Sequence, residues 1–306
     1  MSTSRGIWRS RLPWNSLRYD FRQMSQSNLK QNTDATDDVV LLGTHRAILL
    51  NGITRWLRGA MEDKERMARA NKRMLATLTQ HFEDFPVVDV PPENLTPEQE
   101  LESAVVAGFL AVLGMLPAIR ECEYYFRRYP FKDFPISRSD YLRNCCEMLF
   151  DRVCQLGDRM KFSLRAVKNQ NPNADFDIGK MVKAYEKAFL RVVKLRNQSH
   201  HNSRYTDPDV SQLASVELLD IARSLNLNGA DDTDNLWPFV LDSKGLYQRS
   251  AKKWVARVKA YEQTAEQFVE LTAQIILDSC SFLTGLISEE DKERLKIAQR
   301  RELAKP

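Results

Sequence analysis

Apolar positions along this chain return at intervals of three and four, the period of helices packed on one face, and almost nowhere at intervals of two. The one β-like run, Phe85 to Val90, contains Pro86 and ends at Pro91-Pro92, so it reads as extended linker. A first long helix is expected from about Asp37 to His81, with Asp37 and Asp38 favourable in its first turn and a very polar, solvated stretch from Glu62 to Arg73. Thr96-Pro97-Glu98-Gln99 joins an N-cap threonine, a proline at the first helical position and a capping-box glutamine, and opens a helix to about Arg128 that kinks at Pro117 and stops before Pro130. Ser137 or Ser139 caps the next helix, which reaches about Lys168 and closes at Asn169 to Asn173.

Further helices are expected from Asp177 to His201, from Val210 to Leu225 and from Ser243 to Leu283. Asn226 to Asp242 forms a loop between the last two, and Ser288-Glu289-Glu290-Asp291 opens a charged terminal helix. The expected fold is all-α, an antiparallel bundle of long helices. Its divisions are a basic tail over residues 1–36, a long helix and Pro-rich linker over 37–95, and a bundle over 96–306.

Composition changes this picture in three places. With 43% apolar residues in 306, the chain can bury a substantial core. The net charge of +4 equals that of residues 1–36 alone, where six Lys/Arg meet two acids, so the body is neutral by count. Nucleic-acid affinity then has to come from a local patch or from that tail. The tail has no apolar core of a secretory signal; it carries Trp8 and Trp14 among arginines and serines, as a transit peptide or a surface-seeking segment does, but its simplest use is to dock on a partner protein or on the body.

The uncharged run from Ser103 to Ile119 has 17 residues, which at ~1.5 Å each fall short of a bilayer core, so a buried central helix is expected and no membrane span. The five cysteines, Cys122, Cys145, Cys146, Cys154 and Cys280, form no C-x-x-C pair and sit in helical segments, which fits core thiols in a reducing cytoplasm.

Candidate chemistry concentrates in Arg196-Asn197-Gln198-Ser199-His200-His201. On the helix leading to it, Met181, Tyr185, Ala188, Val192 and Leu195 form an apolar stripe, while Tyr185, Phe189, Val192 and Arg196 form the parallel row. That row carries a guanidinium toward partly buried surface, where it needs a partner or ligand. Two of the four histidines follow at the helix end.

The run resembles the Arg-polar-x(3 to 5)-His signature of the HEPN superfamily of helical ribonucleases and nucleotide-modifying domains, over about residues 137–225. Arg196 takes the family's arginine, Asn197 the polar residue and His201 the histidine, with His200 as a spare. The resemblance implies a HEPN-like bundle and a homodimer whose two motifs face one cleft. It also implies RNA cleavage by 2′-OH attack without a metal or other cofactor, as in toxins and antiviral defence effectors. In such a scheme a histidine moves the proton, Arg196 holds the phosphate, and Asn197 orients phosphate or histidine. On a continuous helix, however, Arg196 and His201 lie about 140° apart and Arg196 and His200 about 40°, so pairing Arg196 with His201 requires the helix to end there or a second subunit to contribute.

The alternative is a non-catalytic interaction or scaffold protein, in which Arg196, His200, His201 and Arg204 simply complement the helix dipole. Other features weigh less. Cys145, Cys146 and Cys154 read as core rather than as a redox or metal cluster. Tyr124-Tyr125-Phe126-Arg127-Arg128-Tyr129 reads as core with snorkelling arginines rather than a base-stacking platform. Lys252, Lys253, Arg257 and Lys259 read as a solvated basic face, and His45 and His81 stand alone. Phosphate-binding glycine loops, H-E-x-x-H and calcium-loop patterns are absent from the sequence.

Overall fold

Gly43 opens the first helix with φ +113°, a left-handed conformation that favours glycine, and its carbonyl accepts from the Ala47 amide at 2.8 Å. In this computed structural model, which describes residues 43–62, 96–131, 136–201, 204–224 and 242–303, α1 therefore runs Thr44–Glu62. The expected start at Asp37 is displaced to Thr44, because the turn at Gly43 breaks the helical backbone. The first-turn anion is not a neighbour in sequence: the Glu270 carboxylate accepts from the amides of His45 (2.6 Å) and Arg46 (3.3 Å) and from His45 Nδ1 (3.1 Å). The tail over 1–36, Asp37 and Asp38, most of the polar stretch Glu62 to Arg73, the linker Phe85 to Val90 and nearly all of the 226–242 loop lie outside the described residues.

The capping box at Thr96 is formed in both directions, Gln99 N–H to Thr96 Oγ1 and Thr96 N–H to Gln99 Oε1, each 3.3 Å. It opens α2, Pro97–Leu113, which is followed by α3, Met115–Arg127. The single helix expected here is thus two, parted at Gly114 rather than kinked at Pro117. Proline lacks the amide and its ring crowds the carbonyl four residues back, so Pro117 is accommodated inside the first turn of a new helix. This pair is long and apolar enough to cross a membrane, with a window of mean hydropathy 1.9. In the fold its Val105, Phe109, Val112, Leu116 and Ile119 are buried, and α2 and α3 pack on α4.

That helix, α4, is Arg138–Gln170, capped by Ser137, whose Oγ accepts from the Asp140 amide at 3.0 Å. Glu217 adds a second cap, accepting from Arg138 and Ser139 amides at 2.6 and 3.2 Å. Around α4 lie α2, α3, α5 (Ile178–Ala188), α6 (Leu190–His201), α7 (Pro208–Ser224) and α8 (Ser243–Ser279). The short α9 (Ser281–Thr284) and α10 (Glu289–Leu303) follow, and both pack on α1. Among the described residues every regular element is helical, and all of them belong to one compact unit, so the fold is all-α.

The helix expected from Asp177 to His201 starts at Ile178 with Asp177 as its cap, but is interrupted at Phe189 (φ −105°, ψ 23°). Met181, Tyr185, Phe189 and Val192 are the buried row, whereas Ala188 is exposed and Leu195 half-buried, so the stripe expected through Ala188 and Leu195 is replaced by the row that ends at Arg196. The reason is aromatic packing: the Phe189 ring sits 4.7 Å from Tyr185 and 6.0 Å from Tyr261. The last long helix likewise ends at Ser279, short of the expected Leu283, with Cys280 extended before α9.

Two glycines set how closely helices approach α4. A Cβ on Gly108 would lie 3.0 Å from Ser163 Cα, and one on Gly157 would lie 2.7 Å from the Tyr185 ring. Gly59, on exposed α1 surface, has nothing within 4 Å. Gly108→Val is therefore expected to destabilise the fold by about 1–3 kcal/mol, because Ser163 meets it with backbone. Gly59→Ala should stabilise it by about 0.5–1 kcal/mol. Denaturant midpoints of the two variants check the opposite signs.

Candidate functional site

The C-terminal half of α6 holds all the residues singled out in the sequence. Its backbone stays helical through His201, and for His200 and His201 the backbone alone is described. Taking Arg196 as the origin, the positions of His200, Asn197 and His201 fall near 40°, 100° and 140° around the helix axis. The four thus fall in two rows, Arg196 with His200 and Asn197 with His201, spread over about 140° of the helix circumference. Position 201 lies between the rows of Asn197 and Lys194, both exposed. Continuity of the helix keeps positions 196 and 201 on different sides of α6 within one chain.

Arg196 is met by α4. Its Nε–H donates to Asp151 Oδ1 at 3.3 Å, with the side chains 40% and 38% exposed. Such half-exposed pairs contribute at most about 1 kcal/mol, so Arg196 is held but not locked. Cys154, one turn along α4, has its thiol pKa pushed up to about 11 by burial, with the Arg196 charge opposing the rise. Ser199 Oγ–H donates to the Arg196 carbonyl at 2.9 Å, an interaction that ties off one of the last helical carbonyls.

Beyond the motif the chain is latched to the same face of α4. Glu147 accepts from the Tyr205 amide at 2.8 Å, and Arg143 Nε–H donates to the Tyr205 carbonyl at 2.8 Å. Arg204 reaches Asn144, Asp140 (3.5 Å) and Glu147 (4.0 Å). The Tyr205 ring is buried against Phe150 (5.0 Å) and Trp254 (6.0 Å), and its hydroxyl donates to Asp207 at 2.7 Å. Burial, helped by the Asp207 hydrogen bond, holds this phenol far above its ordinary range. Asp140, Asn144, Glu147 and Asp151 thus form a polar row on α4 beside the motif. Sequence reading missed this row; its spacing of four, three and four residues was the available signal, but which helix it would face depended on packing.

The remaining candidates settle into structural places. Phe126 is buried and stacked on Trp254 (5.6 Å), while Tyr124 is exposed with Arg128 4.9 Å over its ring. Lys253 pairs with Asp209 at 2.7 Å, Lys259 approaches Glu123 at 3.9 Å, Arg257 lies 4.3 Å over Trp254, and Lys252 is exposed. His45 is buried on Glu270; His81 lies outside the described residues. No group of three or more His, Cys, Asp or Glu able to hold a metal occurs among the described residues. Comparison with family models, with curated proteins and with solved structures finds no match for this chain.

All five cysteines are free, and burial pushes each thiol upward, Cys145 and Cys280 to about 12. A raised folded-state pKa keeps the thiol protonated, so the folded chain should resist iodoacetamide at pH 8. Mass spectrometry should find full alkylation only after denaturation. The same groups stabilise the fold below their unfolded pKa near 9, and that contribution is lost as pH rises toward 12.

Proposed function

We propose that this chain is a metal-independent endoribonuclease of the HEPN kind, with its site at the end of α6. The observation that carries the reading is that positions 196, 197, 200 and 201 follow one another on the last turns of one helix, as two neighbouring rows. Arg196 is half-exposed and Asn197 exposed. An imidazole near neutral pKa takes the proton from a ribose 2′-OH, whose oxygen attacks the adjacent phosphorus. The 5′-oxygen leaves with a proton from a second imidazole, giving a 2′,3′-cyclic phosphate and a 5′-hydroxyl. Arg196 turns from Asp151 to the phosphate, at the cost of a surface ion pair worth at most about 1 kcal/mol. Because the continuous helix separates positions 196 and 201, a homodimer supplies the second set, the Asn197/His201 row of one protomer meeting the Arg196/His200 row of its partner.

One observation favours a second reading. Arg196 already has a carboxylate partner, and Arg204 and Tyr205 are tied to α4, which is what a helix end serving only to hold a scaffold would show. In that case the chain is a non-catalytic interaction protein.

The test is purified protein with mixed RNA in EDTA, compared with Arg196→Ala, His200→Ala and His201→Ala. Cleavage to cyclic-phosphate ends, reduced about 100-fold or more by the arginine change and by at least one histidine change, is expected. Wild-type protein that is dimeric yet as inactive as the variants would leave the scaffold.

A further inference from the structure

One outward row of α5 and α6 carries almost only cations. Lys180, Lys183, Lys187, Arg191 and Lys194 recur at spacings of three, four, four and three, and all five are exposed. Glu186 is the single acidic residue from Ile178 to Lys194. Among the described residues no carboxylate lies within ion-pair distance of Lys183, Lys187, Arg191 or Lys194. The exposure pattern shows that the row survives the turn at Phe189. Carried on at the same spacing, the row reaches positions 198 and then 201 of the same helix. Lys180 to Lys194 covers roughly 20 Å at ~1.5 Å per residue.

A second observation lies on α8. Arg257 has its Nη1 buried without a hydrogen-bond acceptor, while its guanidinium covers the Trp254 ring at 4.3 Å. Burial raises the Tyr261 phenol pKa, and the charges of Arg191 and Arg257 both oppose the rise. A buried guanidinium edge without an acceptor is unfavourable until an oxyanion supplies one.

We infer that the Lys183, Lys187, Arg191 and Lys194 row is a docking track for the phosphates of single-stranded RNA, leading toward position 201. The inference rests on the endonuclease reading and names how that site holds its substrate. A polyanionic strand matches a line of cations with few counter-charges, and its bound counterions are released on docking. A lipid surface fits less well, because membrane-lying helices set their cations beside a broad apolar face, and Leu190 is the one large exposed apolar side chain on these two helices.

The experiment is fluorescence anisotropy of a short labelled 2′-O-methyl oligouridylate, which lacks the attacking hydroxyl, across a salt series, with cleavage read separately on unmodified RNA. Wild type is compared with Lys183→Glu/Lys187→Glu and with Lys292→Glu/Lys296→Glu, an identical charge change on α10, where both lysines already pair with glutamates at 2.6 and 3.2 Å. The track variant should bind about tenfold or more weakly, and its salt slope should fall by about 1.4, two contacts at roughly 0.7 each. The α10 variant should bind like wild type, and circular dichroism should show all three folded. Equal weakening in both variants overturns the track, as does row-dependent binding to anionic vesicles without RNA binding. Cleavage with binding indifferent to the row overturns the track and leaves the nuclease. Row-dependent binding without any cleavage keeps the track and removes the nuclease.

Discussion

Burial of one broad apolar face of a single long helix organises the molecule. α4 carries Leu142, Cys146, Leu149, Phe150, Val153, Leu156, Met160, Leu164 and Val167 at full or nearly full burial. At ~100° per residue these positions fall within one sector of roughly 120°, a broad apolar stripe that several neighbouring helices share, while Asn144, Gln155, Asp158 and Arg165 on the other side are exposed. Six other helices cover it, and none of them needs to be apolar all round. The approach is limited by side-chain volume: Gly108 lets α2 close onto Ser163, and Gly157 admits the Tyr185 ring, whose hydroxyl reaches the Val153 carbonyl. The only strip of α4 left polar beside α6 and α7 is the one that receives Arg196, Arg204 and Tyr205.

Much of this architecture was legible in the chain. Thr96, Ser137, Asp177 and Ser288 cap the helices that follow them, because capping is a local event between residues two or three apart. Interruptions were less legible. Pro117 marked a disturbance, but hydrogen-bond loss moved the boundary to Gly114, and nothing local marked Phe189, whose turn is set by rings from α5 and α8. The start of α1 was misplaced because its anion comes from α8. At the motif, Arg196 was correctly read as needing a partner; that the partner is Asp151 follows only from how α6 lies on α4.

The two faces of α6 have opposite electrostatic character. Toward α4, Asp140, Glu147 and Asp151 receive Arg143, Arg196 and Arg204, which are partly neutralised there. Toward solvent, Lys187, Arg191 and Lys194 have no such restraint. A chain neutral in its body can therefore still present a directed field, because acids were placed where helices meet and bases where they do not.

Glu270 has a consequence for how the molecule comes together. The amides of His45 and Arg46 find their acceptor 225 and 224 residues further along the chain. During synthesis α1 leaves the ribosome long before that carboxylate exists, and until then its first turn can be satisfied only by water. The earliest described helix is thus among the last to be completed, and its docking onto α8 reports that nearly the whole body has been assembled beneath it.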